Sequence, residues 1–248
     1  ERAAEVLERA NLVAEAKVLP GRAADEIVRE AMASGADLAV LGSRGLGTIQ
    51  AMVLGSVSAE VVDRAPCPVL VARTERVERF VVGLDGSACS DRALDFITQF
   101  DLFPAAAATI VSAVPFPAPS TVVTPLGAGY ITDDPAVLAR LRAAHGEIAR
   151  AGAAALRAHG RRVDQLVPDG DGAAGILAAA GALGADLVVL GTRGHTGVRR
   201  LLLGSTARNV LLHATCSVLI VRARRGVRVE TRDPVAARLA GTAIGAPA

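Results

Sequence analysis

Aromatic residues are almost missing from this chain. Its 248 residues include five Phe, one Tyr and no Trp. Binders of single-stranded nucleic acid stack bases on aromatic faces, so that class is disfavoured and the core must be packed from Ala, Val and Leu. Excess charge of one sign is also lacking: 27 Lys and Arg stand against 25 Asp and Glu. Neither nucleic acid nor an acidic membrane surface is therefore an expected partner. Cysteine is scarce, and three residues without framework spacing do not make a secreted disulfide scaffold. Cys67 and Cys216 open apolar runs and read as small buried hydrophobes. No Cys/His set has zinc spacing, so no metal ligand is assigned. The Walker pattern, the Gly-x-Ser-x-Gly elbow and the His-Glu-x-x-His helix are all absent, and no catalytic residue is assigned. Residues 1–11 are charged and helical in pattern, unlike a signal peptide. The longest apolar region, 173–191, holds Asp186 and several glycines and parses as a helix plus a buried strand. A cytoplasmic location is expected.

What is present is a strand, a glycine loop and a helix. Ala185-Asp186-Leu187-Val188-Val189-Leu190 has the composition of a buried parallel strand. It runs into Gly191-Thr192-Arg193-Gly194-His195-Thr196-Gly197, and Gly204-Ser205-Thr206 opens the next helix. Glycines let a ligand approach the backbone, and a helix N-terminus presents partial positive charge to an anion. Ser205 and Thr206 are the expected contacts to phosphate oxygens, with Arg193 screening their charge. Arg199 and Arg200 face solvent or the phosphates. The competing explanation for the glycines is tight turns between strand and helix. The whole pattern recurs, however, at an offset of 149: Gly42, Gly45, Gly55 and Ser56 match Gly191, Gly194, Gly204 and Ser205. Residues 36–73 align with 185–222 without a gap, with 17 of 38 positions identical. Solenoid and propeller repeats are shorter than this, about 20–50 residues, so the period means duplicated domains.

The Gly-2x-Gly-9x-Gly-Ser pattern, preceded by Ala-Asp-Leu-x-Val-Leu and followed by Cys-Pro-Val-Leu-Val, resembles the universal stress proteins. The likeness covers nearly all of residues 1–222. It implies an α/β fold, a Rossmann-like doubly wound parallel sheet in two tandem domains, and binding of ATP with Mg2+. Asp85 is similar to the family's nucleotide-contacting acid; read alone, it is equally an N-cap in Asp-Gly-Ser. Gly83 resembles the small residue that leaves space for the base. Ala113 or Val114 sits where the family offers backbone groups to adenine.

Taken in order, 1–11 reads as a helix end, 12–19 as a strand, 23–34 as a helix and 37–41 as a strand. A helix over 49–64 and a strand over 69–72 follow. This is the back half of an α/β domain, 1–73, without an opening strand, and the absent initiator Met suggests a fragment. After a charged linker, 79–223 runs through in full. Its expected strands are 80–85, 107–114, 162–167, 186–190 and 217–221. Helices are expected over 89–100, 135–159, 173–183 and 199–213, with a long loop at 115–134 and a disordered tail at 224–248. Alternating strands and helices imply parallel pairing. The last strands, 69–72 and 217–221, are expected to pair edge to edge, within one chain as a pseudo-dimer or between chains as a homodimer.

The resulting expectation is an ATP-binding regulator in the stress response. Its protein partner is not identified by the sequence. A slow ATP hydrolase and a nucleotide-free interaction module are the alternatives, but no base is placed to activate water, so binding is better supported than turnover.

Overall fold

In a computed structural model of the chain, residues 7, 11–43, 54–115, 120–124, 127–131, 135–192 and 203–222 are described. The helix end expected over 1–11, both loop centres (Gly45, and Arg193, Gly194, His195, Thr196 and Gly197) and the tail lie outside these residues, Leu7 and Asn11 excepted.

Seven strands form one sheet: β1 (Ala39–Gly42), β2 (Val69–Ala72), β3 (Arg79–Gly83), β4 (Ala107–Val111), β7 (Val163–Leu166), β8 (Leu187–Gly191) and β9 (Ser217–Val221). Their spatial order is β1-β2-β9-β8-β3-β4-β7. Every pairing is parallel except β2 with β9, where Val69, Leu70 and Val71 oppose Ile220, Leu219 and Val218. The expected edge pairing of the last strands thus occurs within one chain. With β1 on the other side of β2 and β8 on the other side of β9, neither strand keeps an edge for pairing between chains.

Parallel strands buried on both faces need helices on both. One face carries α1 (Ala23–Ala33), α2 (Ser56–Arg64), α5 (Gly172–Leu183) and α6 (Ser205–His213), packed on Val69, Val71, Val188, Leu190, Val218 and Ile220. The other carries α3 (Ala88–Gln99) and α4 (Pro135–Ala158), over Phe80, Val82, Ile110, Leu187, Val189 and Leu219. Alternate residues of β8 therefore serve two separate cores. Short side chains make the close packing possible. On the Ala/Gly-rich α5, a Cβ at Gly175 would lie 3.1 Å from Pro168 and 3.3 Å from Ala113.

Two expectations are corrected. Residues 12–19 form no strand, and Val13 and Val18 are exposed. Alternation creates a strand only where a neighbouring strand supplies hydrogen bonds, and none does so here among the described residues. The loop expected at 115–134 contains a hairpin, β5 (Ser120–Thr124) with β6 (Gly127–Ile131). The β-branched Thr121-Val122-Val123-Thr124 favours extended backbone, and only two residues join the paired Thr124 and Gly127.

The repeat is unequally covered. Val189 in β8 is 0 % exposed beneath α3, whereas Val40, its counterpart in β1, is 59 % exposed. Val189→Ala is expected to cost about 1–3 kcal/mol through lost burial and a residual cavity. Val40→Ala should stay within about 0.5 kcal/mol of the parent. Urea denaturation of the two variants checks the contrast.

Candidate functional site

In a doubly wound sheet, the ligand crevice lies beyond the carboxyl ends of the strands where the winding reverses. Here that point is between β3 and β8. Chain order runs outward from β3 through β4 to β7, and from β8 to β9 on the other side. The end of β8 lies against the first turn of α3 through a backbone contact. A Cβ on Gly191 would lie 2.3 Å from the Cys89 carbonyl oxygen and 2.9 Å from the Ser90 nitrogen, in the first turn of α3. Only glycine fits there.

Asp85 lies two residues beyond β3. Its Oδ1 accepts a hydrogen bond from the Ser87 amide at 3.0 Å, and Gly86 between them has φ of 78°. The carboxylate thus shapes the turn, and Ser87, not Asp85, is the N-cap of α3, accepting from Ser90 N. Cys89 is half-buried beside this turn and takes a contact from Arg92 at 3.4 Å.

From β8 the chain passes to Thr192, whose amide donates to Val221 O at 3.1 Å and whose carbonyl accepts from Gly204 N at 2.7 Å. Thr192 is buried, and the two ends of the glycine loop are pinned to each other. The first half repeats this closure: Ser43 N donates to Ala72 O, and Gly55 N to Ser43 O at 2.8 Å. Gly42 closes β1 there, and its carbonyl accepts from Ser58 Oγ.

Helix α6 begins at Ser205 with Gly204 as its N-cap, and no described side chain caps it; the same holds for α2, which begins at Ser56 after Gly55. In the second half, α3 and α5 by contrast have side-chain caps at this edge. Ser87 serves α3, and Asp171 accepts from both Ala173 N and Ala174 N at the start of α5. Thr206 flanks the start of α5, its side chain 3.6 Å from the position of a Cβ on Gly172. The exposed Ser205 and half-buried Thr206 therefore border backbone N–H groups that no described side chain caps.

Two further residues expected at the site, Gly83 and Val114, make close contacts within the fold. A Cβ on Gly83 would lie 2.4 Å from Leu190 and 2.7 Å from Ile176, so the space that Gly83 leaves is filled by the core. Val114 is fully buried; its N–H donates to Pro168 O at 2.8 Å and its carbonyl accepts from Gly170 N at 2.7 Å. These groups join β4 to the turn before α5, and the N–H is engaged within the protein.

Two contacts on this edge have no linear signal. Ser112 Oγ lies 2.9 Å from His145 Nδ1, and Arg142 makes a paired hydrogen bond with Asp169 at 2.9 and 2.5 Å. Both tie α4 across the ends of β4 and β7. The Arg142 guanidinium holds the Asp169 carboxyl below the usual carboxylate range. Burial pushes the Cys216 thiol up, which suits an inert core residue; Cys67 is buried likewise. Among the described residues no group of acidic, His and Cys side chains can hold a metal ion, and no helix is long and apolar enough to cross a membrane.

The model of the universal stress protein family matches residues 1–73 and 76–222. The chain belongs to this family. A Thermus aquaticus universal stress protein, from the QAH/OAS sulfhydrylase 3′ region, is 49 % identical over 59 residues, covering 24 % of this chain and 43 % of the relative. Under half of the length of such curated relatives is matched. Among solved structures, a putative universal stress protein from Pseudomonas aeruginosa superimposes with a TM-score of 0.64 at 20 % identity, covering 89 % of this chain and 76 % of the other. One from Archaeoglobus fulgidus gives 0.62 at 24 %, covering 89 % and 75 %. These structural likenesses bear on the fold, a mostly parallel α/β sheet; the two matched segments agree with a tandem arrangement.

Gly191→Ala is expected to cost about 1–3 kcal/mol, lowering the melting temperature by several degrees, because backbone must move to admit the methyl group. Calorimetry beside Gly181→Ala, where a Cβ meets nothing within 4 Å, tests this. Asp169, with its lowered pKa, contributes stability above the ordinary carboxylate range, and that contribution is lost as pH falls through the folded value. The small stability gap between parent and Arg142→Met should therefore be present at about pH 6 and close by about pH 2. Urea titrations at both pH values check it.

Proposed function

We propose that the second half binds ATP with Mg2+ at the carboxyl edge of β3 and β8, and that occupancy of this site is the regulatory signal of a stress-response protein. The observation that carries this reading is α6. It starts at Gly204-Ser205 with no side-chain cap among the described residues, while Ser87 and Asp171 cap α3 and α5. Backbone N–H groups and the positive end of the helix dipole favour an anion at such a terminus. Ser205 and Thr206 add hydroxyls, and Gly194, Thr196 and Gly197 belong to the intervening loop.

Asp85, on the other wall of the crevice, supplies a carboxylate that accepts hydrogen bonds from ribose hydroxyls or the adenine amine. It also shapes the turn into α3. Mg2+ enters as the partner of the triphosphate, as this hard cation is commonly held by substrate phosphates together with few protein ligands. No residue is assigned as a base for hydrolysis, so the reading is binding with a conformational output. The first half keeps Gly42, Gly55 and Ser56 in the same strand-to-helix closure, without a described counterpart of Asp85.

Nucleotide released from the purified chain, and titration calorimetry with ATP–Mg, test this reading. About one ATP per chain is expected at the second half. Asp85→Ala should weaken binding about tenfold or more. Ser205→Glu is the sharper variant. An acid in the first turn suits the helix dipole and leaves the fold intact, but it repels phosphate at the same place. Binding should then fall by about tenfold with an unchanged or higher melting temperature. An absence of nucleotide and of any ATP-induced thermal shift in the parent overturns the proposal and leaves the glycines as turns.

A further inference from the structure

Two arginines cross the seam between the halves, and they occupy equivalent positions in the repeat. Arg73 follows β2, Arg222 follows β9, and the two are 149 residues apart. Because β2 and β9 run antiparallel, the end of each strand lies beside the beginning of the other. Each arginine consequently emerges at the turn that leads out of the other half's last helix. Arg73 donates to Leu211 O at 2.8 Å and to Cys216 O at 3.2 Å. Arg222 donates to Val62 O, to Ala65 O at 2.8 Å and to Asp63 O at 3.3 Å. Leu211 and Val62 are themselves repeat equivalents.

Leu211 O is a terminal carbonyl of α6, Val62 O and Asp63 O are terminal carbonyls of α2, Ala65 O is the α2 C-cap carbonyl, and Cys216 O belongs to the turn between α6 and β9. Terminal carbonyls have no intrahelical donor, and a cation there is favoured by the negative end of the dipole. These are also the two helices that begin at Gly-Ser. Each therefore has a glycine loop at its N-terminus and an arginine from the other half at its C-terminus. The link is reinforced by Arg208 on α6, which pairs with Asp63 on α2 at 3.1 Å. Behind Arg73, the backbone is fixed to β9: Arg73 N and Thr74 N both donate to Ser217 Oγ, at 3.0 and 3.1 Å. Arg73 is thus a strut with a fixed base, and a planar guanidinium spans two carbonyls where an ammonium offers a point contact.

We infer that Arg73 is a positioning residue for the anion site at the start of α6, so that the nucleotide site of the second half depends on a side chain supplied by the first. Its counterpart, Arg222, holds α2 in the same way and reaches α6 only indirectly, through the exposed Arg208–Asp63 pair. The inference rests on the function proposed above for the α6 terminus.

The test uses the full chain and the matched variants Arg73→Met, Arg73→Lys and Arg222→Met, with ATP–Mg affinity by calorimetry, thermal stability, and amide hydrogen exchange within α6. Arg73→Met should weaken ATP about fivefold and accelerate exchange along α6, with Arg73→Lys recovering only part of either change. Arg222→Met removes the same kind of contact from the same seam, so it should lower the melting temperature comparably while leaving ATP affinity within about twofold of the parent. Equal losses of affinity in both methionine variants, or no loss in Arg73→Met, overturn the inference. If the parent binds no ATP, the proposed function fails by itself. Hydrogen exchange then decides the arginine's role, and α6 exchange that is no faster in Arg73→Met than in Arg222→Met overturns the positioning.

Discussion

The candidate site depends on one close approach between two stretches of backbone. Gly191 ends β8 directly against the first turn of α3, where the Cys89 carbonyl leaves no room for a side chain. That contact brings the Asp85 turn, which leads into α3, beside the loop that leads into α6. With a side chain at 191 the strand end and the helix would be held apart, and the two walls of the crevice would separate. The remaining geometry extends from this junction: Thr192 closes the loop on Gly204, and Thr206 packs beside the start of α5.

Two further constraints make the site part of a larger unit. The sheet is continuous through the antiparallel β2–β9 pair, so the halves share one hydrogen-bonded layer with core on both faces. The linker is fastened to that layer as well. Thr74 Oγ1 lies 2.8 Å from Ser217 Oγ and donates to Asp186 O, while the Asp186 carboxylate accepts from Glu78 N and Arg79 N. A segment that reads as a spacer from its charges is a brace. The uneven exposure of Val40 and Val189 has the same origin: α3 lies over β8 and β9, on the side of the seam occupied by the second half.

Several features of fold and site were legible in the chain itself. Runs such as Leu187-Val188-Val189-Leu190 announce strands buried on both faces, and Gly204-Ser205 before an apolar period announces a helix start. The duplication at 149 residues predicts two equivalent loop closures, and Ser43–Gly55 and Thr192–Gly204 supply them. Other features were hidden because they depend on partners far away in the chain. Ser112 meets His145 and Arg142 meets Asp169 across 33 and 27 residues. Gly83 resembles a ligand-facing glycine, yet what decides its role is the arrival of Leu190 and Ile176 from two other elements. Val114 is a similar case, since its hydrogen bonds go to a turn more than fifty residues later.

The sequence by itself determined the order of the helices and of the strands of the main sheet, the parallel character of most of them, the repeat and the family resemblance. These follow from short-range patterning: hydrophobic period, glycine placement and helix-start chemistry are properties of neighbouring residues. Only the tertiary structure decided that the last strands pair within one chain, that residues 12–19 gain no strand partner, and which glycines serve packing and which serve turns. It also decided that Arg73 and Arg222 exchange places across the seam. Backbone hydrogen bonds and close contacts between distant segments settle those questions, and a residue's local pattern carries no record of which segment will lie against it.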